Sequence, residues 1–120
     1  MESPLKAGDV VLATVLDPQA GNAKNRPCVV MEVLDESCFV IAITTSFDAS
    51  SLTSTQLVVP HRSSNSPMSK IQTGITKPSV VDVRWSATIK NELCKKVGKL
   101  PEKLFAAVKQ LLVDHSRNIP

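Results

Sequence analysis

The sequence predicts a mainly β domain closed by one C-terminal helix, and three observations carry that reading. Between Asn25 and Ser46, two runs rich in β-branched residues flank the short polar stretch Asp35-Glu36-Ser37, the pattern of an antiparallel hairpin. From Ser79 to Trp85, apolar and charged residues alternate with the period of a strand. From Pro101 to His115, Leu104, Phe105, Val108, Leu111 and Leu112 recur at three- and four-residue spacing, the stripe of an amphipathic helix. Together these give a small, mostly antiparallel sheet with a terminal helix packed on it.

Each element has its own local reason. Lys6-Ala7-Gly8-Asp9 reads as a turn and Val10 to Leu16 as a strand, apolar on both faces at Val10-Val11-Leu12-Ala13 as a central strand is. Asp17 to Asn25 reads as a polar loop around Gly21. The hairpin follows, with Arg26 at the head of its first strand and Thr44 at the foot of its second. Phe47 to Thr55 is a Ser/Thr-rich connection, and Gln56 to Pro60 is a short strand that Pro60 ends or marks as an edge. His61 to Pro78 is the least ordered stretch by composition, carrying Arg62, Lys70 and Lys77 among Ser, Gly and Pro. In the strand after it, Val81, Val83 and Trp85 are expected on one face and Asp82 and Arg84 on the other. Asn91 to Lys96 reads as one or two helical turns. The last helix has Pro101 at its start, Glu102 in its first turn, and His115 and Arg117 near its end, which suits the helix dipole.

The chain has 120 residues, read as one domain over 1–120, and a net charge of +3 that permits an anionic partner without requiring one. Phe39, Phe47, Phe105 and Trp85 are its whole aromatic set, so the core must come from Val, Leu and Ile. The longest apolar run, Cys38 to Ile43, is too short to span a bilayer, and the N-terminus lacks the pattern of a signal peptide. A cytoplasmic protein without membrane contact is the expectation. Cys28, Cys38 and Cys94 form no Cys-x-x-Cys pair, and the first two read as small buried hydrophobes. His61 and His115 fall in unrelated elements, so no metal site is expected.

The two ends of a hairpin lie at one edge of the sheet, so the pairing brings the Arg26 guanidinium beside the hydroxyls of Thr44, Thr45 and Ser46. Such a corner fits phosphate recognition. It equally fits a solvated strand-start charge beside hydroxyls that cap a turn, and Asp82 with Arg84 fits a plain same-face ion pair. Trp85 reads as filling core or a dimer interface rather than stacking on a base.

The order of pieces is similar to the MazF/PemK (Kid) family of toxins from type II toxin–antitoxin pairs. Gly8-Asp9-Val10-Val11 resembles that family's opening segment, and Arg26-Pro27-x-Val29-Val30 its Arg-Pro strand start. Ala42-Ile43-Thr44-Thr45-Ser46, Lys77-Pro78-Ser79-Val80-Val81 and Lys96-Val97-Gly98-Lys99-Leu100 resemble its later segments, in the family's order. There are departures. The loop before Arg26 offers Gln19, Asn22, Lys24 and Asn25, with Asp17 as its acidic residue. An Arg-x-Asp pair of the Kid-like branch appears with its charges exchanged, as Asp82-Val83-Arg84, and a later Arg-Thr appears as Ala87-Thr88.

The resemblance implies a small SH3-like or CcdB-like barrel of mostly antiparallel strands, a homodimer, and a cognate antitoxin. It implies an endoribonuclease that cuts single-stranded mRNA through the 2′-hydroxyl, without metal or cofactor. The family's catalytic Arg and Thr fall on Arg26 and Thr44. Asp82 joins them as a catalytic candidate, and His61 is the other candidate for the base; residue type does not rank the two. Lys24, Asn25, Thr45, Ser46, His61 and Arg84 are the expected substrate-binding residues. Two other readings stay open: a relative that keeps the fold without cleavage, and a gyrase-binding toxin of the CcdB kind. The latter lacks its Trp-Gly-Ile ending here, where the chain closes Ser116-Arg117-Asn118-Ile119-Pro120.

Overall fold

The computed structural model describes residues 5–16, 21, 23–45, 47–48, 50–59, 75 and 78–117. In chain order these give β1 (Asp9–Leu16), β2 (Ala23–Val33), β3 (Ser37–Thr44), β4 (Gln56–Val59), β5 (Ser79–Lys90), a 3₁₀ turn (Asn91–Leu93), β6 (Lys95–Lys99) and α1 (Glu102–Arg117). The strands make one sheet in the order β4-β5-β3-β2-β1-β6, each pairing antiparallel.

Both faces of the central strands are buried, which is why β1 to β3 read as continuous apolar runs. One face carries Val10, Val29, Ile41, Ile43, Val81 and Val83, and Val108 of α1 packs into it with no exposed surface. The other carries Val11, Ala13, Val15, Cys28, Val30, Cys38, Val40 and Ala42. No helix among the described residues covers that second face. The sheet curls as a half-barrel with this face inward, and Trp85, Ala87 and Ile89 of β5, with Leu5 and Cys94, pack against it.

The β2–β3 hairpin turns where the polar residues are, closed by Leu34 N–H donating to the Ser37 carbonyl at 2.8 Å. A second junction ties the N-terminus to the helix. Gly8 has φ +95°, donates its N–H to the Val30 carbonyl at 2.7 Å, and accepts from Leu100 N–H at 2.8 Å. Its α-carbon lies under the Phe105 ring, which a Cβ there would meet at 3.7 Å. A positive φ favours a residue without Cβ, so this position calls for glycine.

Four expectations change. The chain enters β2 at Ala23, so Lys24 and Asn25 are strand residues opposite Val15 and Thr14 rather than loop residues. β5 runs five residues past Trp85, to Lys90. Only Asn91–Leu93 is helical in its stretch, and the chain then forms β6, which pairs with β1. Trp85 does not share a face with Val81 and Val83. Ile43 pairs with Val81 but Ile41 pairs with Ser86, so a wide bulge sets residues 82–85 against Ala42 alone. That shift reverses the alternation, and Trp85 packs on the inner face while Val81 and Val83 stay on the helix side.

Candidate active site

The β2–β3 register pairs Cys28 with Ala42 and Val29 with Ile41. Continued two residues further, it sets Arg26 opposite Thr44, as the hairpin reading expects. Arg26 is half-buried and faces Ala13 of β1. Thr44 is buried, 5% exposed, and pairs with Val80 of β5. Paired residues share a face, so Arg26, Cys28, Ala42, Thr44 and Val80 all look to the inside of the half-barrel. Asp82 lies between Val81 and Val83, which point to the helix side, and so it too faces inward.

Asp82 is 6% exposed and surrounded by donors. Arg84 gives Nη2–H to Oδ2 at 2.9 Å, Nε–H to Oδ1 at 3.2 Å, and its backbone N–H to Oδ1 at 3.1 Å. Gln56, opposite on β4, donates Nε2–H to Oδ2 at 3.3 Å. Burial alone would raise the Asp82 pKa. The bonds from Arg84 and from the Thr55 hydroxyl outweigh it and hold the carboxyl below its usual range. A carboxylate so placed stays ionised and is a weak proton acceptor; its geometry suits holding Arg84. Gln56 and Thr55 have no signal in the sequence, since they reach Asp82 only through the β4–β5 pairing.

Trp85 brings a second unexpected contact. The Arg26 guanidinium carbon lies 4.4 Å from the centre of its ring, a cation–π distance. The indole Nε1–H donates to the Leu16 carbonyl, at the end of β1, at 2.7 Å. Cys28 lies next on the Arg26 face and donates Sγ–H to the Arg26 carbonyl at 3.6 Å. Burial first, then the neighbouring Cys94 and Cys38, push its pKa up to about 12 against the opposing charge of Arg26.

Among the other expected substrate-binding residues, Lys24 is exposed two positions before Arg26 on the same face, while Asn25, also exposed, points to the opposite face. Thr45 is exposed just past β3. Arg84 is tied to Asp82 with its side chain 51% exposed. Ser46 and His61 lie outside the described residues, as do Arg62, Lys70 and Lys77.

The fold and this inward-facing edge define the class: a mostly antiparallel half-barrel with one C-terminal helix, the architecture of MazF toxins. A solved MazE–MazF structure from Deinococcus radiodurans superposes with a TM-score of 0.69 at 15% identity, covering 98% of this chain and 100% of that one. An endoribonuclease in complex with its cognate antitoxin, from a mycobacterial species, superposes with a TM-score of 0.66 at 12% identity, covering 98% and 99%. The Mycobacterium tuberculosis toxin MazF-mt6 does so with 0.63 at 18% identity, covering 90% and 96%. No curated protein sequence is similar enough to count as a match. The sequence profile of the PemK-like, MazF-like toxins of type II toxin–antitoxin systems matches residues 6–115, and the chain belongs to that family.

Proposed function

We propose that this protein is the toxin of a toxin–antitoxin pair and acts as an endoribonuclease on single-stranded mRNA. What supports the reading is membership of this family together with the β2–β3 register, which, continued past the pairing of Cys28 with Ala42, sets Arg26 across from Thr44 on the inward face. In this reading the RNA 2′-hydroxyl attacks its own phosphorus, and the bond to the 5′-oxygen breaks. The products are a 2′,3′-cyclic phosphate and a 5′-hydroxyl. Arg26 meets the pentavalent phosphorane with its fork of N–H donors, and Thr44 donates its hydroxyl to a non-bridging oxygen. Asp82 acts as a positioning residue that holds Arg84 against the substrate edge, and His61 remains a candidate for the proton acceptor.

The same reading includes a cognate antitoxin protein as partner, a cytoplasmic site of action and a homodimer. No helix among the described residues is long and apolar enough to cross a membrane. The two sheet edges support a dimer unequally. β6 carries Lys95, Lys96 and Lys99, which guard an edge against pairing; β4 is protected by its shortness but exposes 54% of Val58. Sedimentation at micromolar concentration is expected to give about twice the 12.9 kDa chain mass.

The chemistry is tested by single-turnover cleavage in EDTA beside binding of an uncleavable 2′-deoxy strand. Arg26→Lys keeps the charge and loses the planar fork, so its bound-state rate should fall by about 10²-fold with little change in affinity. Thr44→Val keeps the β-branched shape and loses the hydroxyl, and should show the same split. Parent-like rates in both variants would make the pair structural and end this assignment. A parent protein that is inactive on varied single strands would point instead to a relative that keeps the fold without cleavage.

A further inference from the structure

We propose that Trp85 is a positioning residue for the cleavage reaction: its indole face fixes the Arg26 guanidinium in the orientation that meets the scissile phosphate. The inference rests on the assignment of Arg26 made above.

Three observations on different strands converge on it. The guanidinium lies 4.4 Å from the ring centre. The ring is itself pinned, because Nε1–H donates to the Leu16 carbonyl at 2.7 Å and the indole packs on the inner core beside Ala87 and Ile89. Across β1, the residue opposite Arg26 is Ala13, whose single methyl leaves space above the strand for the longer side chain to lie against the indole. An arginine side chain has several flexible torsions, and a loose guanidinium presents its donor fork to a phosphate only part of the time. A carboxylate would also hold it, but by cancelling its charge, as Asp82 does for Arg84 at 2.9 Å. An aromatic face holds the cation and leaves its charge for an anion. The indole contact thus restrains the Arg26 guanidinium without itself drawing on its charge.

The test compares the parent with Trp85→Leu, Trp85→Phe, Arg26→Lys and the double variant Arg26→Lys/Trp85→Leu. Each is assayed for single-turnover cleavage at saturating protein and for binding of a 2′-deoxy strand. Trp85→Leu should lower the bound-state rate about 10-fold while affinity changes by about twofold at most. Trp85→Phe, which keeps a ring and loses the Leu16 bond, should recover most of that rate. If Trp85 acts through Arg26, the double variant should be no slower than Arg26→Lys alone, because there is no fork left to orient. Trp85 is the single tryptophan of the chain, so its emission gives a readout that needs no substrate. Replacing the cation by Arg26→Met should shift that emission.

Parent-like cleavage by Trp85→Leu overturns the inference, as do losses that multiply in the double variant, which would mark an independent structural role. If Trp85→Leu fails to fold, Trp85→Phe and the emission shift decide. Parent-like cleavage by Arg26→Lys removes the active-site assignment and this inference with it. A slow Arg26→Lys beside a fast, folded Trp85→Leu removes this inference alone.

Discussion

Replacing Asp82 by asparagine isolates the charge of the most heavily bonded side chain at the site. The shape is kept, but one oxygen becomes an NH₂ that meets donors: Arg84 Nη2 at 2.9 Å and Gln56 Nε2 at 3.3 Å both point at Oδ2, and Arg84 gives Oδ1 its Nε–H and its backbone N–H. A hydrogen bond to a charged group contributes about 1.5–3 kcal/mol, and breaking a fully buried ion pair costs about 3–5 kcal/mol. Here the carboxylate side is 8% exposed but the Arg84 side chain is 51% exposed, so water takes over part of what the guanidinium loses. The expected loss is therefore about 2 kcal/mol at neutral pH, or about 8 °C in Tm for a domain of this size.

The pH dependence separates charge from shape. Burial would raise the Asp82 pKa, yet the bonds from Arg84 and Thr55 leave it below the ordinary value. A depressed folded pKa means that the stabilisation is present above the unfolded carboxylate pKa, about 3.9, and is lost as pH falls through the folded value. The amide that Asp82→Asn introduces cannot titrate. The gap in urea midpoint between parent and Asp82→Asn should be constant from pH 8 to about 5 and close below about pH 4. A gap that stays open down to pH 2 would mean that the loss comes from shape or packing, and no gap at any pH would mean that the pairing contributes nothing. The same variant speaks to mechanism. A carboxylate that holds Arg84 leaves the pH–rate profile with its limbs unmoved, whereas one that accepts the proton takes a limb with it.

Two further outcomes are expected. Gly8→Ala should cost about 1 kcal/mol, read as a fall of about 4 °C in Tm: the added Cβ meets Phe105 at an ordinary 3.7 Å, so the cost is the positive φ rather than a clash. Cys28 and Cys38 have pKa values raised to about 12, chiefly by burial, so their contribution is whole below the unfolded thiol value, about 8.5, and is lost as pH rises through the folded one. Urea midpoints between pH 8 and 11 should fall with pH in the parent, and Cys28→Ala should make that fall shallower.

The parts of the fold that were legible in the sequence are those fixed by local pattern. The hairpin shows because its turn residues and both strands lie within one short stretch, and α1 shows because its stripe repeats every turn. β6 was illegible for a physical reason. Lys95-Lys96-Val97-Gly98-Lys99 has little strand preference, and it is extended because β1 offers it a ladder. At the site, the expectation that Arg26 lies across from Thr44 comes from hairpin register alone, and the β2–β3 pairing runs in that register as far as Cys28 with Ala42. The donors around Asp82 did not, since Gln56 lies 26 residues away in sequence and meets it only across the β4–β5 pairing.

The bulge in β5 explains why simple strand alternation puts Trp85 on the wrong face, and it also accounts for the composition of the site. In an uninterrupted strand Asp82 and Arg84 would share one face and Trp85 would turn to the other, into the helix-side core with Val81 and Val83. Because residues 82–85 all stand against Ala42, the strand turns over within that stretch. Asp82 faces inward before the turn and Trp85 faces inward after it, although they are three residues apart. The inner edge thereby receives both a carboxylate and an aromatic ring from one short segment. The carboxylate is committed to Arg84, its neighbour in that segment, which leaves the ring to meet Arg26 from β2. A register shift that looks like a local irregularity thus sets the Asp82 carboxylate on Arg84 and the Trp85 ring against Arg26, and it marks the bulge rather than any single side chain as the feature that shapes this edge.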